Sequence, residues 1–389
     1  MRIAVISYHT CPFEEFGRGF SGGMNSFLRE TSLRLSLSGY RVVVFTRDIG
    51  GLGRAFKHDF LEVRHVDCGL PESPTLADYL NGVEKFTGSL LELKENEFDV
   101  VFSNYWLSVL PAITLKRTLG VPIVHMHHTL EAVKEEFSGT RYDDERLRQS
   151  RLFYEFHAHR EADVVLYPSE MDREVSLRFY GWAADRAEVV TPGIDDMFFD
   201  LPDMRERGRE ILGAGADEIV ILFSGRDERI KNLKGLMEAF DRVREKYNLK
   251  LAVLGGWKGE NLEGVSVLPP TFGEELVAVI DGADLVAIPS FYESFSIFGF
   301  EALVRGRLLL APRGTYIGEF VSQHGLGEVF SPREGDLSEA LERLVCNLEK
   351  HGSKKGEAKS LCSRFTWEMT HHLLIQVFHR VVRPSLRFQ

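Results

Sequence analysis

Long apolar runs are missing from this chain of 389 residues. None approaches the ~18 residues that a membrane-crossing helix requires, so no helical span is expected. Cysteine is scarce. Cys11, Cys68, Cys346 and Cys362 show no C-x-x-C spacing, so neither a disulfide framework nor a zinc site is indicated, and reduced thiols in the cytoplasm are expected. Basic residues are outnumbered, 47 Lys and Arg against 58 Asp and Glu. The resulting net charge of −11 argues against a nucleic-acid partner, which would want a basic face. An anionic ligand would have to be held by a local cluster against that field. The opening segment Ile3-Ala4-Val5-Ile6-Ser7 reads directly as a strand and leaves no room for a signal peptide.

Signatures of several enzyme classes are absent as well. There is no G-x-S-x-G nucleophile elbow and no Walker A loop, both of which need a strand, a glycine turn and a helix in series. Three glycine clusters fail the dinucleotide fingerprint for the same reason. Gly50-Gly51-Leu52-Gly53 has no apolar helix after it, Gly213-Ala214-Gly215 precedes a strand, and Leu254-Gly255-Gly256-Trp257 ends a strand without opening a helix. His125, His127 and His128 crowd one strand end, but a zinc site needs three or four converging ligands and nothing nearby completes the set. No metal and no resident cofactor is expected.

What is present is alternation. Short apolar strands at Ile3–Tyr8, Arg41–Thr46, Asp99–Ser103, Pro122–His127, Asp163–Tyr167 and Glu188–Thr191 are separated by helical patterns. One such pattern is the stripe Met24, Phe27, Leu28, Thr31, Leu35, closed by Gly39. Ile219–Ser224, Lys250–Gly255, Ala283–Pro289 and Leu308–Ala311 repeat the scheme. The expectation is an α/β protein of two doubly wound, mostly parallel domains, since a single core rarely grows beyond ~250–300 residues. The domains are expected at residues 1–195 and 196–367, with a last helix opening at Phe365-Thr366-Trp367 and carrying Leu374, Val377, Phe378 and Val381 on one stripe. The charged run Arg141–Arg151 reads as a helix or loop.

Chemistry concentrates in two strand-to-helix loops. After the strand ending at Ser224 comes Gly225-Arg226-Asp227-Glu228-Arg229-Ile230-Lys231, then a helix with Leu233, Leu236, Met237, Phe240 and Val243 on one face. Arg offers a fork for phosphate oxygens and Lys a point charge, at the strand ends where open α/β sheets bind ligands. After the strand ending at Ser290 comes Glu293-Ser294-Phe295-Ser296-Ile297-Phe298-Gly299-Phe300-Glu301. Ser296 reads as an N-cap and the following amides as an anion site. Alone, the E-x7-E pair serves equally well as a loop cap and a solvated helix residue. Ser21-Gly22-Gly23-Met24-Asn25, between the first strand and first helix, is a third place where backbone could approach a ligand.

Gly225-Arg226-x4-Lys231 followed by Glu293-x7-Glu301 resembles the retaining glycosyltransferases of family 4, which adopt the GT-B architecture. The resemblance spans nearly the whole chain. Ser21-Gly22-Gly23-Met24-Asn25, His127-His128-Thr129-Leu130, Tyr167-Pro168-Ser169-Glu170 and Val189-Val190-Thr191-Pro192-Gly193-Ile194-Asp195 fall in the family's order. It implies two Rossmann-like domains facing a central cleft, with residues 368–389 returning to the N-terminal domain. It implies transfer of a hexosyl unit from a nucleotide-diphosphate sugar, without metal, by front-face departure of the nucleotide. Donor contacts would come from Gly22, Gly23, Arg226, Lys231, Ser296, Ile297, Phe298 and Glu301, with His128, Arg226, Lys231 and Glu293 at the reacting centre.

Within the family, His9-Thr10, Asn104-Tyr105-Trp106-Leu107-Ser108 and His128-Thr129-Leu130-Glu131-Ala132-Val133-Lys134 are most similar to sucrose-phosphate synthases and inositol-phosphate glycosyltransferases. That similarity places Asn25, Tyr105, Thr129 and Arg151 at the acceptor. One departure is a lysine of the subgroup's phosphate site, for which Gly69-Leu70-Pro71-Glu72-Ser73-Pro74 offers only Glu72. A second is Ser296, where many members have glycine. UDP is the favoured nucleotide, although no residue selects uracil over guanine or adenine. A small polar acceptor, phosphorylated or not, is favoured over a lipid-linked or polymeric one. A sugar-nucleotide epimerase and a binding module without catalysis are the readings from other classes. The sequence sets no subunit count, so a homo-oligomer is left open.

Overall fold

Stretches too apolar to alternate become the central strands of two parallel sheets. The computed structural model describes residues 1–13, 22–49, 56–92, 97–139, 144–181, 184–255, 257, 263–348 and 354–382. The first sheet contains β1 (Arg2–Ser7), β2 (Arg41–Ile49), β3 (Phe56–His58), β4 (Leu61–Leu70), β5 (Val100–Asn104), β6 (Ile123–Met126), β7 (Val164–Tyr167) and β8 (Ala187–Val189), in the order β3-β4-β2-β1-β5-β6-β7-β8. Only β3 runs antiparallel, as a hairpin with β4. The second sheet contains β9 (Ile219–Ser224), β10 (Leu249–Leu254), β11 (Val265–Leu268), β12 (Leu285–Ala287), β13 (Leu308–Pro312) and β14 (Gly327–Phe330), all parallel, in the order β11-β10-β9-β12-β13-β14. Strands buried on both faces lose the period-two pattern, and every residue of β5, β12 and β13 is buried.

The order reverses beside β1 in the first sheet, between β1 and β5, and beside β9 in the second, between β9 and β12. At such a switch point the connections leave toward opposite faces and open a crevice at the strand carboxyl ends. The loops singled out from sequence follow these four strands.

The chain divides into two compact units. One comprises Met1–Glu135, Arg141–Pro192 and Trp367–Gln389, the other Glu136–Thr140 and Gly193–Thr366. The last helix, Trp367–Val382, thus belongs to the first unit. Its Trp367 ring lies 6.2 Å from Phe27 and its Phe378 ring 5.3 Å from Phe102. Val381, expected on its buried stripe, is half-exposed, and residues 383–389 lie outside the described residues.

β3, β4, β11 and β14 are not expected from the sequence pattern. β4 alternates Leu61, Val63, Val66, Cys68 with polar residues, while β11 and β14 are edge strands with mostly half-exposed side chains. None offers the apolar run that marks a central strand. In the run Arg141–Arg151, a helix begins at Glu145, where Asp144 accepts hydrogen bonds from the amides of Arg146 and Leu147. Residues 141–143 lie outside the described residues, as do Gly50–Gly53 and Gly256.

The amino ends of the second sheet are held by a buried pair. The fully buried Asp281 accepts from Arg305 Nε at 2.9 Å and from the amide of Met204 at 2.9 Å. Arg305 also donates to the carbonyls of Phe198, Leu201 and Pro202. Removing the carboxylate leaves a guanidinium buried without its counter-charge, which costs about 3–5 kcal/mol. Asp281→Ala should therefore lower the unfolding midpoint of the second unit strongly in a calorimetric scan, while a surface change such as Lys234→Ala leaves it unmoved.

Candidate active site

Around the β9–β12 switch point of the second unit, two loops are tied together by three hydrogen bonds, and a fourth braces the second loop. The amide of Phe291 donates to the carbonyl of Ile230 at 2.9 Å, and Asn232 Nδ2 donates to the carbonyl of Pro289 at 3.1 Å. Lys231 Nζ donates to Glu293 Oε1 at 2.6 Å, and Ser290 Oγ donates to the same oxygen at 2.6 Å. Lys231 sits in a 3-10 turn, Arg229–Lys231, which ends at Asn232 with φ +52°. Arg226 is half-exposed and pairs with Glu228 at 3.0 Å. The loop after β10 closes against this one. Gly255 has φ +114°, and a side chain there would lie 2.6 Å from the carbonyl oxygen of Gly225.

The helix Ile297–Val304 begins beside Glu293. Ser296 does occupy its N-cap position, but the expected cap is not made. Its φ of +76° and ψ of +74° are left-handed, and although its Oγ lies beside Gly299 in the first turn, no side chain caps the helix. A left-handed backbone is where glycine costs least, which accounts for glycine at this position in many proteins of the resembling family. The leading amides of Ile297 and Phe298 are left to an outside acceptor. Glu301, one turn further on, is half-buried, and burial pushes its carboxyl up to about 8, with Asp195 adding repulsion.

In the first unit the residues at the β1–β5 switch point also converge. Gly22 is the extended residue before the helix Gly23–Leu37, while Ser21 lies outside the described residues. Asn25 is 2% exposed and its Nδ2 donates to the carbonyl of Cys11 at 3.1 Å. Its Oδ1 is buried with no partner among the described residues. Tyr105, directly after β5, is held at φ +67° and ψ +156°, a conformation that is costly for any residue but glycine.

Arg151 lies with its guanidinium 5.4 Å above the Tyr105 ring, and its Nη2 donates to Thr129 Oγ1 at 2.9 Å and to the Thr129 carbonyl at 3.0 Å. Three of the four acceptor candidates, Tyr105, Thr129 and Arg151, are therefore brought together. Arg151 is also 1% exposed and held by two buried carboxylates, Glu155 at 2.7 Å and Glu131 at 3.2 Å. Lys134 reaches the same Glu131 at 3.0 Å. Burial raises the Glu155 carboxyl, against the opposing pull of Arg151. At the expected lysine position, nothing replaces Glu72. The lysine beside that loop, Lys85, pairs with Asp67 at 3.2 Å.

The three histidines separate by environment. His125 and His127 are 1% exposed with rings 4.4 Å apart, and burial holds both imidazoles well below their ordinary value. His128 is half-buried and hydrogen-bonded to Asn104 Oδ1 through Nε2 at 3.1 Å. Among the described residues no three His, Cys, Asp or Glu side chains form a metal-binding group. Sequence reasoning missed Asn232, Ser290, Asn104, Glu131 and Glu155 as site residues. Asn104 and Ser290 carried a signal, being polar residues that close apolar strands, whereas the carboxylates on either side of Arg151 carried none.

Residues 21–198 match the model of Glycosyltransferase Family 4 and residues 204–360 that of Glycosyl transferases group 1. D-inositol 3-phosphate glycosyltransferase of Paenarthrobacter aurescens (strain TC1) is 30% identical over 411 residues, covering 99% of each chain. The protein of that name from Corynebacterium glutamicum (strain R) is 31% identical, covering 98% of this chain and 97% of its own. Among solved structures, sucrose-phosphate synthase from Thermosynechococcus elongatus superposes with a TM-score of 0.85 at 22% identity over 99% of this chain and 100% of its own. An Anabaena protein in complex with UDP and glucose gives a TM-score of 0.72 at 18% identity, over 97% of this chain and 99% of its own. These likenesses establish the GT-B fold, with two Rossmann-like domains.

Two outcomes follow from the local geometry. Ser296→Gly removes a left-handed penalty of ~1–2 kcal/mol against a glycine entropy cost of ~0.5–1 kcal/mol. It should leave the unfolding midpoint unchanged or slightly higher, where Ser296→Ala offers no such relief. Glu301 keeps its proton better in the folded chain than in the unfolded one, whose carboxyl has the ordinary value of 4.5. Its contribution to stability is whole below about 4.5 and is lost as pH rises to about 8. The melting temperature of Glu301→Gln relative to the parent should therefore climb between pH 5 and 8. A flat difference would refute the raised carboxyl.

Proposed function

The chain belongs to the glycosyltransferases of family 4, and from that premise we propose that it moves a hexosyl unit, with retention, from a UDP-sugar to a small polyol acceptor bearing a phosphate. The observation that carries the donor half is the Lys231–Glu293 pair at 2.6 Å, set beside the uncapped start of the helix Ile297–Val304. Lys231 and Arg226 meet the diphosphate as charge departs with it, and the amides of Ile297 and Phe298 meet its oxygens. A phosphate that draws Lys231 frees Glu293 Oε1 to accept hydroxyls of the transferred sugar. Glu301, whose buried carboxyl keeps its proton up to about 8 in the free protein, gives that proton up on binding and accepts the two ribose hydroxyls as a carboxylate.

No enzymic nucleophile enters this scheme. The nucleotide leaves and the acceptor oxygen arrives on the same face of an oxocarbenium-like sugar, so the protein supplies orientation and electrostatics. The scheme gives no step to a metal ion. Support for UDP comes from the Anabaena complex of like fold. Support for a phosphorylated polyol comes from the names of relatives that match end to end and from the convergence of Tyr105, Thr129 and Arg151. With Glu131 and Glu155 balancing Arg151, the acceptor anion meets an oriented donor fork more than a net positive charge.

Each charge-assisted hydrogen bond from Arg226 or Lys231 contributes about 1.5–3 kcal/mol, or ~10–150-fold in rate when it strengthens in the transition state. Arg226→Ala and Lys231→Ala should each lower kcat/KM by that order with the fold intact. Arg151→Ala should raise the KM for an inositol phosphate far more than that for the sugar nucleotide. Parental turnover in both donor variants would refute the donor site, and an unchanged acceptor KM would refute the acceptor clamp.

A further inference from the structure

We propose that Tyr180 is a positioning residue that acts through Glu155: its hydroxyl completes the hydrogen bonds that hold the Glu155 carboxylate against Arg151, and it thereby sets the affinity for an anionic acceptor. The inference rests on the acceptor reading above for what Arg151 meets. The hold of Tyr180 on Glu155 rests on geometry within the first unit alone.

Tyr180 is the last residue of the helix Glu170–Tyr180, which stops at Gly181 with φ +64°. It is buried, and its ring stacks on the His159 ring with centroids 4.3 Å apart. Its hydroxyl, the one polar atom of the side chain, donates to Glu155 Oε2 at 2.8 Å. The fully buried Glu155 carboxylate takes two further donors. Oε1 accepts from Arg151 Nε at 2.7 Å, and both oxygens accept from the amide of Glu131, at 2.9 and 3.1 Å. Three elements therefore meet at one carboxylate: the helix Glu145–Glu161 that carries it, the start of the helix Glu131–Ser138 and the end of the helix Glu170–Tyr180. A carboxylate only accepts, whereas a carboxylic acid turns one oxygen into a donor. Protonation would set that O–H against one of the three donors and strip Arg151 of a counter-charge.

Burial pushes the Glu155 carboxyl up, and Arg151, the Glu131 amide and the Tyr180 hydroxyl pull it back. The Tyr180 phenol is itself raised, by burial and then by Glu155, so it stays a donor. Past the end of β6 stand Glu131, with Lys134 at 3.0 Å, and His127, whose ring stacks on His159. His159 Nδ1 donates to the Glu155 carbonyl at 2.6 Å, and its Nε2 accepts from Tyr167 of β7. Burial takes His159 down to about 4 and holds His127 well below its ordinary value, so neither adds charge in the neutral range. Tyr167 is raised by burial, with Asp172 and Arg173 of the helix Glu170–Tyr180 bearing on it in opposite senses. Ionisation of Glu155 thus depends on a guanidinium, an amide and one phenol. The first two belong to the clamp and the backbone, and the phenol is the part that a single substitution removes without touching either.

The test compares the full-length parent with Tyr180→Phe, which keeps the ring and loses the hydroxyl, using UDP-glucose and inositol 3-phosphate as probes. Dividing the acceptor KM of the variant by that of the parent at each pH cancels the acceptor's own phosphate titration. That ratio should be near one at pH 9 and rise about tenfold as pH falls, because the variant's Glu155 takes up its proton first. The kcat and the KM for UDP-glucose should stay within about twofold of the parent. Carbon-13 NMR of the glutamate carboxyls should show Glu155 ionised at pH 7 in the parent and titrating at higher pH in Tyr180→Phe. Added to Glu155→Gln, Tyr180→Phe should change the acceptor KM no further. A ratio flat in pH would overturn the proposal, as would equal Glu155 titrations or the same penalty in the Glu155→Gln background. A protonated Glu155 in the parent at pH 7 would overturn it even where a variant fails to fold. Failure of the acceptor reading registers separately, as a parent without affinity for inositol 3-phosphate in which the Glu155 titration still depends on Tyr180.

Discussion

Where the strand order of the second sheet reverses, β9 and β12 lie side by side with their following loops unsupported by a common helix. The contact that settles this place is the pair between Lys231 and Glu293. Its worth in stability is modest, because the lysine is 33% exposed and partly exposed pairs contribute ~1 kcal/mol or less. Its worth lies in placement. Backbone bonds from Phe291 to Ile230, and from Asn232 to Pro289, fix the two loops in register, and the pair then sets one cation and one carboxylate at a single point. Arg226 lies in the first of these loops and the uncapped amides of Ile297 and Phe298 end the second. A ligand that brings its own anion and hydroxyls can replace both halves of the pair at once, so the two charges can stay together without either being wasted.

The first unit solves a different electrostatic problem. Arg151 is buried, and a buried guanidinium is tolerated only when its charge is answered and its donors are bonded. Glu155 and Glu131 answer it, Thr129 takes two of its donors, and Lys134 offsets the surplus carboxylate. The balance means that Arg151 is held in one orientation, so the acceptor contact proposed for it costs little entropy. Tyr105 beneath it is pinned from both sides, by the guanidinium above and by its own amide bonded to Met126.

Much of this arrangement is legible in the amino-acid sequence. The two-domain parallel α/β fold follows from strands that are apolar throughout, and the stripe Leu233, Leu236, Met237, Phe240 and Val243 is buried as its spacing implies. Half-exposed strands such as β11 and β14 are not legible, because they share their composition with loops. The candidate residues stand out where a charge sits in a loop between an apolar strand and an amphipathic helix. What escapes are the residues that hold those charges. Glu131 and Glu155 lie on helices as ordinary acidic residues until folding sets them beside Arg151, and no spacing rule pairs positions 131, 151 and 155. Ser296 marks the helix start as its residue type suggests, but for a different reason, since its backbone conformation, not its hydroxyl, is what the turn requires.

The backbone at Ser296 is one case of a regularity. Four non-glycine residues among those described have positive φ: Asp59, Tyr105, Asn232 and Ser296. The first lies in the β3–β4 hairpin, where such a turn is unremarkable. The other three stand after β5, β9 and β12, the strands that flank the two switch points. Left-handed or extended positive-φ backbone costs of order 1–3 kcal/mol per residue and survives only where the surroundings determine it. Each of the three is so determined, Tyr105 by its bond to Met126, Asn232 by its bond to Pro289, and Ser296 by the close-packed start of its helix. Glycine would relieve all three, yet the chain keeps a ring, an amide and a hydroxyl there. Retaining a strained side chain has a rationale where that side chain or its displaced backbone meets a ligand, and at these positions the strain coincides with the charges, the uncapped amides and the buried donors. Backbone strain and side-chain chemistry thus mark the same strand ends by independent physical arguments.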